Sequence, residues 1–250
     1  ALPLYTRQDA LNCLPQIHAK EFGNSFAPAP GWNASFSHAG HILGASSLLL
    51  EVAGHRILFS GDLGRSDDLM MNPPDRAPQA DTVLIESTYG DSVHPVEDVL
   101  AELGPALHRV TARGGVAIVP VFAVGRAQTL LHAIALLKLR GDIPKALPVF
   151  LDSPMAVHTT ELVQHYPQEH KLSSQQMRNL TRDATMVSTL EESKALAKRH
   201  GPMVILAASG MATGGRVLHH LGLYAGDHRS LIILTGFQAP GTRGATLASG

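Results

Sequence analysis

Apolar residues along this chain fall into two rhythms. Up to about residue 92 they form short strand-like runs separated by turn chemistry. The stretch "SSLLLEVAGHRILFSGD", residues 46–62, reads as two strands folded back at Ala53-Gly54, a hairpin. "ADTVLIESTYG", residues 80–90, predicts a further strand running into a turn, and a loop rich in proline, methionine and aspartate, residues 66–80, lies between the two. Ahead of them Thr6, with Asp9 three positions on, is a capping-box pattern for a short helix that Pro15 bends or ends. A glycine-, proline- and alanine-rich loop, "GNSFAPAPGW", follows it.

From Pro95 onward the period lengthens. "PVEDVLAELGPALHRVTARGG" predicts an amphipathic helix with proline near its first turn and acids close behind. "GVAIVPVF" is a short apolar strand, and "GRAQTLLHAIALLKLRG" a helix closed by glycine. Next come the strand "LPVFLDS" and the helix "SPMAVHTTELVQHY", with Ser153 as N-cap and Pro154 just inside. "TLEESKALAKRHG" is helical, "PMVILAAS" a strand, "GGRVLHHLGLY" a helix and "SLIILTGF" a last strand. Strands alternating with helices imply a mostly parallel sheet covered on both faces. The fold class is therefore α/β, with a boundary near residue 92 between hairpin strands and a doubly wound unit.

Composition narrows the function classes. Hydrophobic residues make up 44% and charged residues 16% of 250, a globular balance. The formal net charge of -1 gives no global basic field, so binding to nucleic acid would need a local cluster of cations. The one cysteine, Cys13, excludes an internal disulfide and a Cys-rich zinc module, and a reducing cytoplasm is the expected location. No run approaches the roughly 18 apolar residues of a membrane span. The chain opens "ALPLYT" without methionine and stops at "GTRGATLASG", so we expect it to be the central part of a longer protein.

Three constellations could carry chemistry. His38 and His41 sit three apart in "SHAGHILGASS", and Asp62 follows an apolar run in "SGDLG". Imidazole and carboxylate are ordinary zinc ligands, although an Asp between glycines is as often a turn residue and two or three donors do not close a site. Glu86 ends the run "LIESTYGD"; it either orients a histidine beside a metal or caps a turn with Ser87 and Thr88. The glycine-rich turns "VFAVGRAQ", "AASGMATGGR" and "FQAPGTRG" each follow a strand and each carry an arginine, Arg126, Arg216 and Arg243. At strand ends such turns can hold a polyanion, or can simply be tight turns with solvated arginines. No Walker A string, dinucleotide GxGxxG or nucleophile-elbow GxSxG is present. Among the other histidines only His158, after "DSPMAV", stands out, and weakly.

Taken in order, "GHILGASS", "FSGDLGR", "IESTYGD", "PVFAVGRAQ", "LDSPMA", "ASGMATGGRVLHHL" and "GFQAPGTRG" resemble the β-CASP branch of the metallo-β-lactamase fold, the RNA-processing nucleases related to ribonuclease J and to the cleavage and polyadenylation endonuclease, most of all the prokaryotic stand-alone type. The resemblance implies a partial metallo-β-lactamase αββα sandwich over residues 1–92 and an inserted β-CASP domain, complete or not at its C-terminus, over 93–250. It implies a two-zinc ribonuclease that cleaves RNA with a metal-activated water. His41 would match a zinc ligand, Asp62 the carboxylate that bridges the two zinc ions, and Glu86 the acidic residue of the first β-CASP motif; His38 matches no ligand. Ser209, Gly210 and Arg243 would line the path of the RNA backbone. The family's HxHxDH string and its two later β-CASP histidines are not among these residues and are expected upstream of Ala1 and beyond Gly250. The alternatives are a non-catalytic β-CASP protein that binds RNA or a partner, and a hydrolase of small esters on the same fold. A homodimer is compatible with the sequence. We also expect an uncovered apolar face on the N-terminal part.

Overall fold

The computed structural model describes residues 3–93 and 98–250. The N-terminal part opens with helix α1 (Arg7–Cys13), where Thr6 and Asp9 form the predicted capping box, and a 3-10 turn at Leu14–Gln16 follows at Pro15. Five strands then build one sheet: β1 (Ser25–Phe26), β2 (Trp32–His38), β3 (Ser46–Val52), β4 (His55–Phe59) and β5 (Thr82–Leu84), in that spatial order. All neighbours are antiparallel except β4 and β5, which run parallel. The predicted hairpin is β3–β4, with Val52 opposite His55 and positive φ at Ala53 and Gly54. Strand β2 was not foreseen, because "WNASFSH" holds only three apolar residues among small and polar ones and follows a proline-rich loop.

The C-terminal part is the alternating unit. Its elements are α2 (Val99–Arg113), β6 (Val116–Pro120), α3 (Arg126–Arg140), β7 (Val149–Asp152), α4 (Pro154–His165), α5 (Ser174–Arg182), β8 (Thr185–Val187), α6 (Leu190–Leu196), β9 (Met203–Ala207), α7 (Val217–Tyr224), β10 (Leu231–Ile232) and α8 (Arg243–Ser249). Asp98 caps α2, so the predicted helix is shorter than "PVEDVLAELG" implied, and its opening residues 94–97, with His94, lie outside the described residues. Helix α5, strand β8 and helix α8 were not predicted; "SSQQMRNLTRD" is too polar to show a helical stripe by eye, yet Ser173 and Gln176 form a full capping box and Met177 and Leu180 are buried.

The five strands β6–β10 are all parallel, in the order β10-β6-β9-β7-β8. Alternate residues of β6 feed two cores. Ala117 and Val119 pack with side chains of α2, α3, α4 and α5, while Val116 and Ile118 pack with α6 and α7. The sheet is thus doubly wound. Strand β6 hands on through α3 to β7, on one side of β9, and β9 hands on through α7 to β10, on the far side of β6. The order in which strands are added reverses between β6 and β9, the place where ligands gather outside the carboxyl ends of strands in sheets of this kind.

Loop 66–80 does more than join β4 to β5. Asp68 accepts from the Met70 and Met71 N–H groups at 2.8 and 2.7 Å, and both methionines sink into the core of the C-terminal part. Met70 O accepts from Lys171 N at 2.8 Å, Asn72 Nδ2 donates to Gln168 O at 2.9 Å, and His38 pairs with Asp75 and Glu169 at 3.0 and 3.2 Å. His38 also stacks on Phe22. These contacts tie the two sheets together.

Candidate active site

His41 and Asp62 lie at the ends of neighbouring segments. Gly40 and Leu63 form an antiparallel bridge, and Gly64 N donates to Ala39 O at 2.8 Å. That register sets residue 41 opposite residue 62. The approach needs glycine on both sides: a Cβ on Gly64 would overlap the Gly40 carbonyl, and Gly40 has φ +71° with the backbone of Asn72 and Pro73 pressed against it. Both residues are exposed, and neither side chain has a hydrogen bond or ion pair among the described residues. His38, the other half of the HxxH pair, is instead committed to Asp75 and Glu169.

Glu86 holds this pair in place. Its Oε1 accepts from Leu63 N at 3.3 Å and its Oε2 from Thr88 N at 3.0 Å, while its own N–H donates to Ser60 Oγ at 2.9 Å. The Thr88 backbone N–H is the main cause holding the Glu86 carboxyl below the usual carboxylate range; partial burial opposes it, and Leu63 N–H and the nearby His41 ring reinforce it. Glu86 is therefore an anion at neutral pH; it caps the 86–88 turn, one of the two readings made of it from the sequence, and its charge interacts with the His41 ring.

Zinc needs three protein ligands in an open catalytic site and four in a closed one. His41 and Asp62 are zinc donors in kind, but among the described residues no group of three or more His, Cys, Asp or Glu could hold a metal ion. The donors fall short in number, and the described residues do not close a metal site by themselves.

The His41 loop faces the second sheet: Ile42 sits against Gly125, where a Cβ would come within 2.6 Å of its side chain. Three strand-end loops meet there, 121–126 after β6, 208–216 after β9 and 236–244 after β10. Ser209 turns its hydroxyl into its own loop, accepting from Thr213 N and Gly214 N at 3.1 and 3.3 Å. Gly210 is buried, because a Cβ there would meet the Phe122 backbone N at 2.9 Å. Arg243 begins α8, exposed, as is Arg126 at the start of α3. His158 is exposed and faces Glu161 at 3.3 Å.

Arg216 does not join the other two arginines. Its guanidinium donates to Asp152 Oδ1 at 2.7 Å, Val187 O at 3.2 Å and Ser188 O at 2.9 Å. Asp152 is fully buried and also accepts from Ser193 Oγ at 2.6 Å and pairs with His220 Nε2 at 2.7 Å. Burial pushes the Asp152 carboxyl up, but the His220, Ser193 and Arg216 hydrogen bonds together hold it below its ordinary value. One carboxylate at the end of β7 thereby fixes α6, the 187–188 turn and the start of α7. Sequence reasoning missed this centre. The available signal was an Asp directly after the apolar run "PVFL", where a buried carboxylate needs partners.

The family description "Beta-Casp domain" matches residues 127–247. The chain is 34% identical to Ribonuclease TTHA0252 of Thermus thermophilus, over 98% of this chain and 58% of that protein. It is 31% identical to the RNase J-like protein of Methanocaldococcus jannaschii, again over 98% of this chain and 58% of that one. It is 30% identical to Endoribonuclease YSH1 of Mycosarcoma maydis, over 96% of this chain and 28% of that protein. The chain thus spans 58% or less of the length of these relatives. The mixed α/β architecture with its two sheets agrees with the matched domain, and the chain carries a β-CASP domain over residues 127–247.

Proposed function

We propose that this chain is part of a metal-dependent ribonuclease that hydrolyses RNA phosphodiester bonds, with zinc as the metal, two ions per site. The observation that carries the reading is the opposition of His41 and Asp62, both with unengaged side chains, beside an ionised Glu86 and open toward the strand-end loops of the parallel sheet. Relatives named ribonuclease and endoribonuclease support the substrate class. In this reading residues 1–92 carry the metal-facing part and 93–250 the part that holds RNA. His41 and Asp62 are two of the metal donors, and the others come from outside these residues. When bound, zinc acidifies water and neutralises phosphate charge. Glu86 holds the Asp62 turn through Leu63 N–H and keeps a negative charge next to His41. Arg243 and Arg126 offer cations to the backbone, and Ser209 and Gly210 shape the loop between them without lending a free hydroxyl.

The test is metal content and turnover in the whole protein. Asp62→Asn should lower hydrolysis of single-stranded RNA by more than the ~100-fold that loss of a supporting residue causes, and should lower bound zinc. Full activity in that variant would overturn the assignment. A second reading, a β-CASP protein that binds RNA without cleaving it, is favoured by the lack of a three-donor group among the described residues; a whole protein that retains no metal after dialysis yet binds RNA would establish it.

A further inference from the structure

Aromatic residues are only 5% of this chain, yet Tyr89, Phe122 and Phe237 are all exposed on loops that follow strands. Tyr89 lies three residues beyond Glu86, Phe122 two residues beyond β6, and Phe237 in the loop after β10. A single exposed ring needs no explanation, but a group held together by specific contacts does. The Tyr89 and Phe237 rings meet edge to face, with centroids 6.2 Å apart and planes at 87°, bridging the loop of one sheet to the loop of the other. The Phe122 ring lies on Gly210, where a Cβ would come within 2.7 Å of it. The Gly210 carbonyl in turn accepts from the side chain of Gln238, the neighbour of Phe237, at 3.3 Å. One buried peptide therefore holds the bases of two of the three rings.

The backbone beneath is fixed. Val121 N donates to Ala207 O at 3.0 Å, and Ala127 N donates to Phe122 O at 3.2 Å as α3 begins. The loops after β6 and β9 are those flanking the reversal in strand order, so Phe122 stands at the topological switch point. Exposed cations lie on the same loops, Arg126 four residues from Phe122 and Arg243 six from Phe237. Exposed rings on loops that also carry cations are what a single strand needs: bases stack on the rings while phosphates track the arginines. A duplex hides its base faces and cannot use such a surface.

We infer that Phe122, with the Tyr89–Phe237 pair, is a stacking platform for unpaired bases of an RNA strand lying across these loops. The inference rests on the ribonuclease reading for the nature of the strand. It assigns to the rings a preference for unpaired nucleotides, separate from the metal-facing residues that would act on the phosphate.

The experiment compares the whole protein with its Phe122→Leu, Phe122→Tyr and Phe237→Leu variants. The probes are a single-stranded oligoribonucleotide and an abasic oligonucleotide of equal length and charge, with affinity read by fluorescence anisotropy. Loss of each ring should weaken binding of the base-bearing strand about 10-fold and leave the abasic strand unchanged, while Phe122→Tyr retains affinity. A 2-aminopurine placed in the strand should be quenched on binding to the parent protein and less so with Phe122→Leu. Equal loss for both strands, or no loss for either, overturns the platform. Should Phe122→Leu fail to fold by circular dichroism, Phe237→Leu and the quenching in the parent protein decide alone. If RNA is bound with this base dependence but never hydrolysed, the ribonuclease reading fails and the platform stands; if RNA is hydrolysed without base dependence, the platform alone fails.

Discussion

The two sheets of this protein live in different environments. In the parallel sheet every residue of β6, β7 and β9 is buried, because helices from the same stretch of chain cover both faces. In the mixed sheet only Ala34, Ser47 and Leu58 of the strand residues are buried, and all three residues of β5 are exposed. Val83, Leu84 and Ile85 are 55%, 49% and 68% exposed, an apolar run left in water as the sequence led us to expect. The comparison teaches where order at the candidate site comes from. The mixed sheet carries His41, Asp62 and Glu86, but it is fastened to the parallel sheet through loop 66–80, Met70 and Met71. The site is thus assembled on a thin sheet and held by a thick one.

The largest test of that division is the buried centre of the thick sheet. Asp152→Ala removes the anion that faces Arg216 and His220, leaving a cation unpaired in a buried setting. That should cost about 3–5 kcal/mol, read as a fall in the denaturant midpoint of the parallel sheet. The same centre sets an acid limit. The folded-state pKa of Asp152 lies below its unfolded value, so its contribution is present above the ordinary carboxylate range and is lost as pH falls through the folded value. Glu86 has the same sign, by the N–H bonds of Thr88 and Leu63. Thermal scans at falling pH should therefore show little change near neutrality and a steep loss below about pH 4, and Asp152→Ala should flatten that loss.

A pair of truncations compares the sheets directly. Leu206, in the middle of β9, has no exposed surface, and Leu206→Ala should destabilise by about 2–5 kcal/mol through lost burial and the cavity left behind. Val83→Ala in β5 removes a side chain that is half in water and should stay within about 0.5 kcal/mol. Chemical denaturation of the two variants checks both. Equal costs would mean that the apparent exposure of β5 is covered in solution.

Much of this was legible in the sequence, and what was not has physical reasons. The alternation of β6, α3, β7 and α4 showed because each element carries its own signal: a fully apolar strand, a glycine C-cap at Gly141, a Ser153-Pro154 start. The β3–β4 hairpin showed through its turn. Strand β2 did not, since its burial is partial and its three apolar residues alternate with Asn33, Ser35 and Ser37, residues as common in loops. Helix α5 is polar on all but two positions. At the site, residue type and spacing left His41, Asp62 and Glu86 open to plain turn roles, and the family resemblance singled them out; their mutual position rests on the Gly40–Leu63 bridge, a contact 23 residues apart that no local pattern encodes. Arg216 was grouped with Arg126 and Arg243 because each sits in a glycine-rich turn after a strand; only the fold reveals that Asp152, 64 residues earlier, takes it out of that set.

The smallest change is the most telling about how the sheets cooperate. Ala53 has φ +51° in the two-residue turn of the β3–β4 hairpin, a left-handed conformation that penalises a Cβ-bearing residue with no local hydrogen bond in return. Asn tolerates that region and Asn-Gly is the preferred pair for such a turn, so Ala53→Asn should stabilise the hairpin by roughly 0.5–1 kcal/mol. The turn belongs to a different sheet from the buried strands β6, β7 and β9, so where the gain appears depends on coupling. If loop 66–80 makes the sheets one folding unit, the whole denaturation curve shifts by that amount. If the thin sheet opens first, as its exposure leads us to expect, tryptophan fluorescence from Trp32 in β2 moves to higher denaturant while far-UV ellipticity, dominated by the helices of the thick sheet, stays where it was.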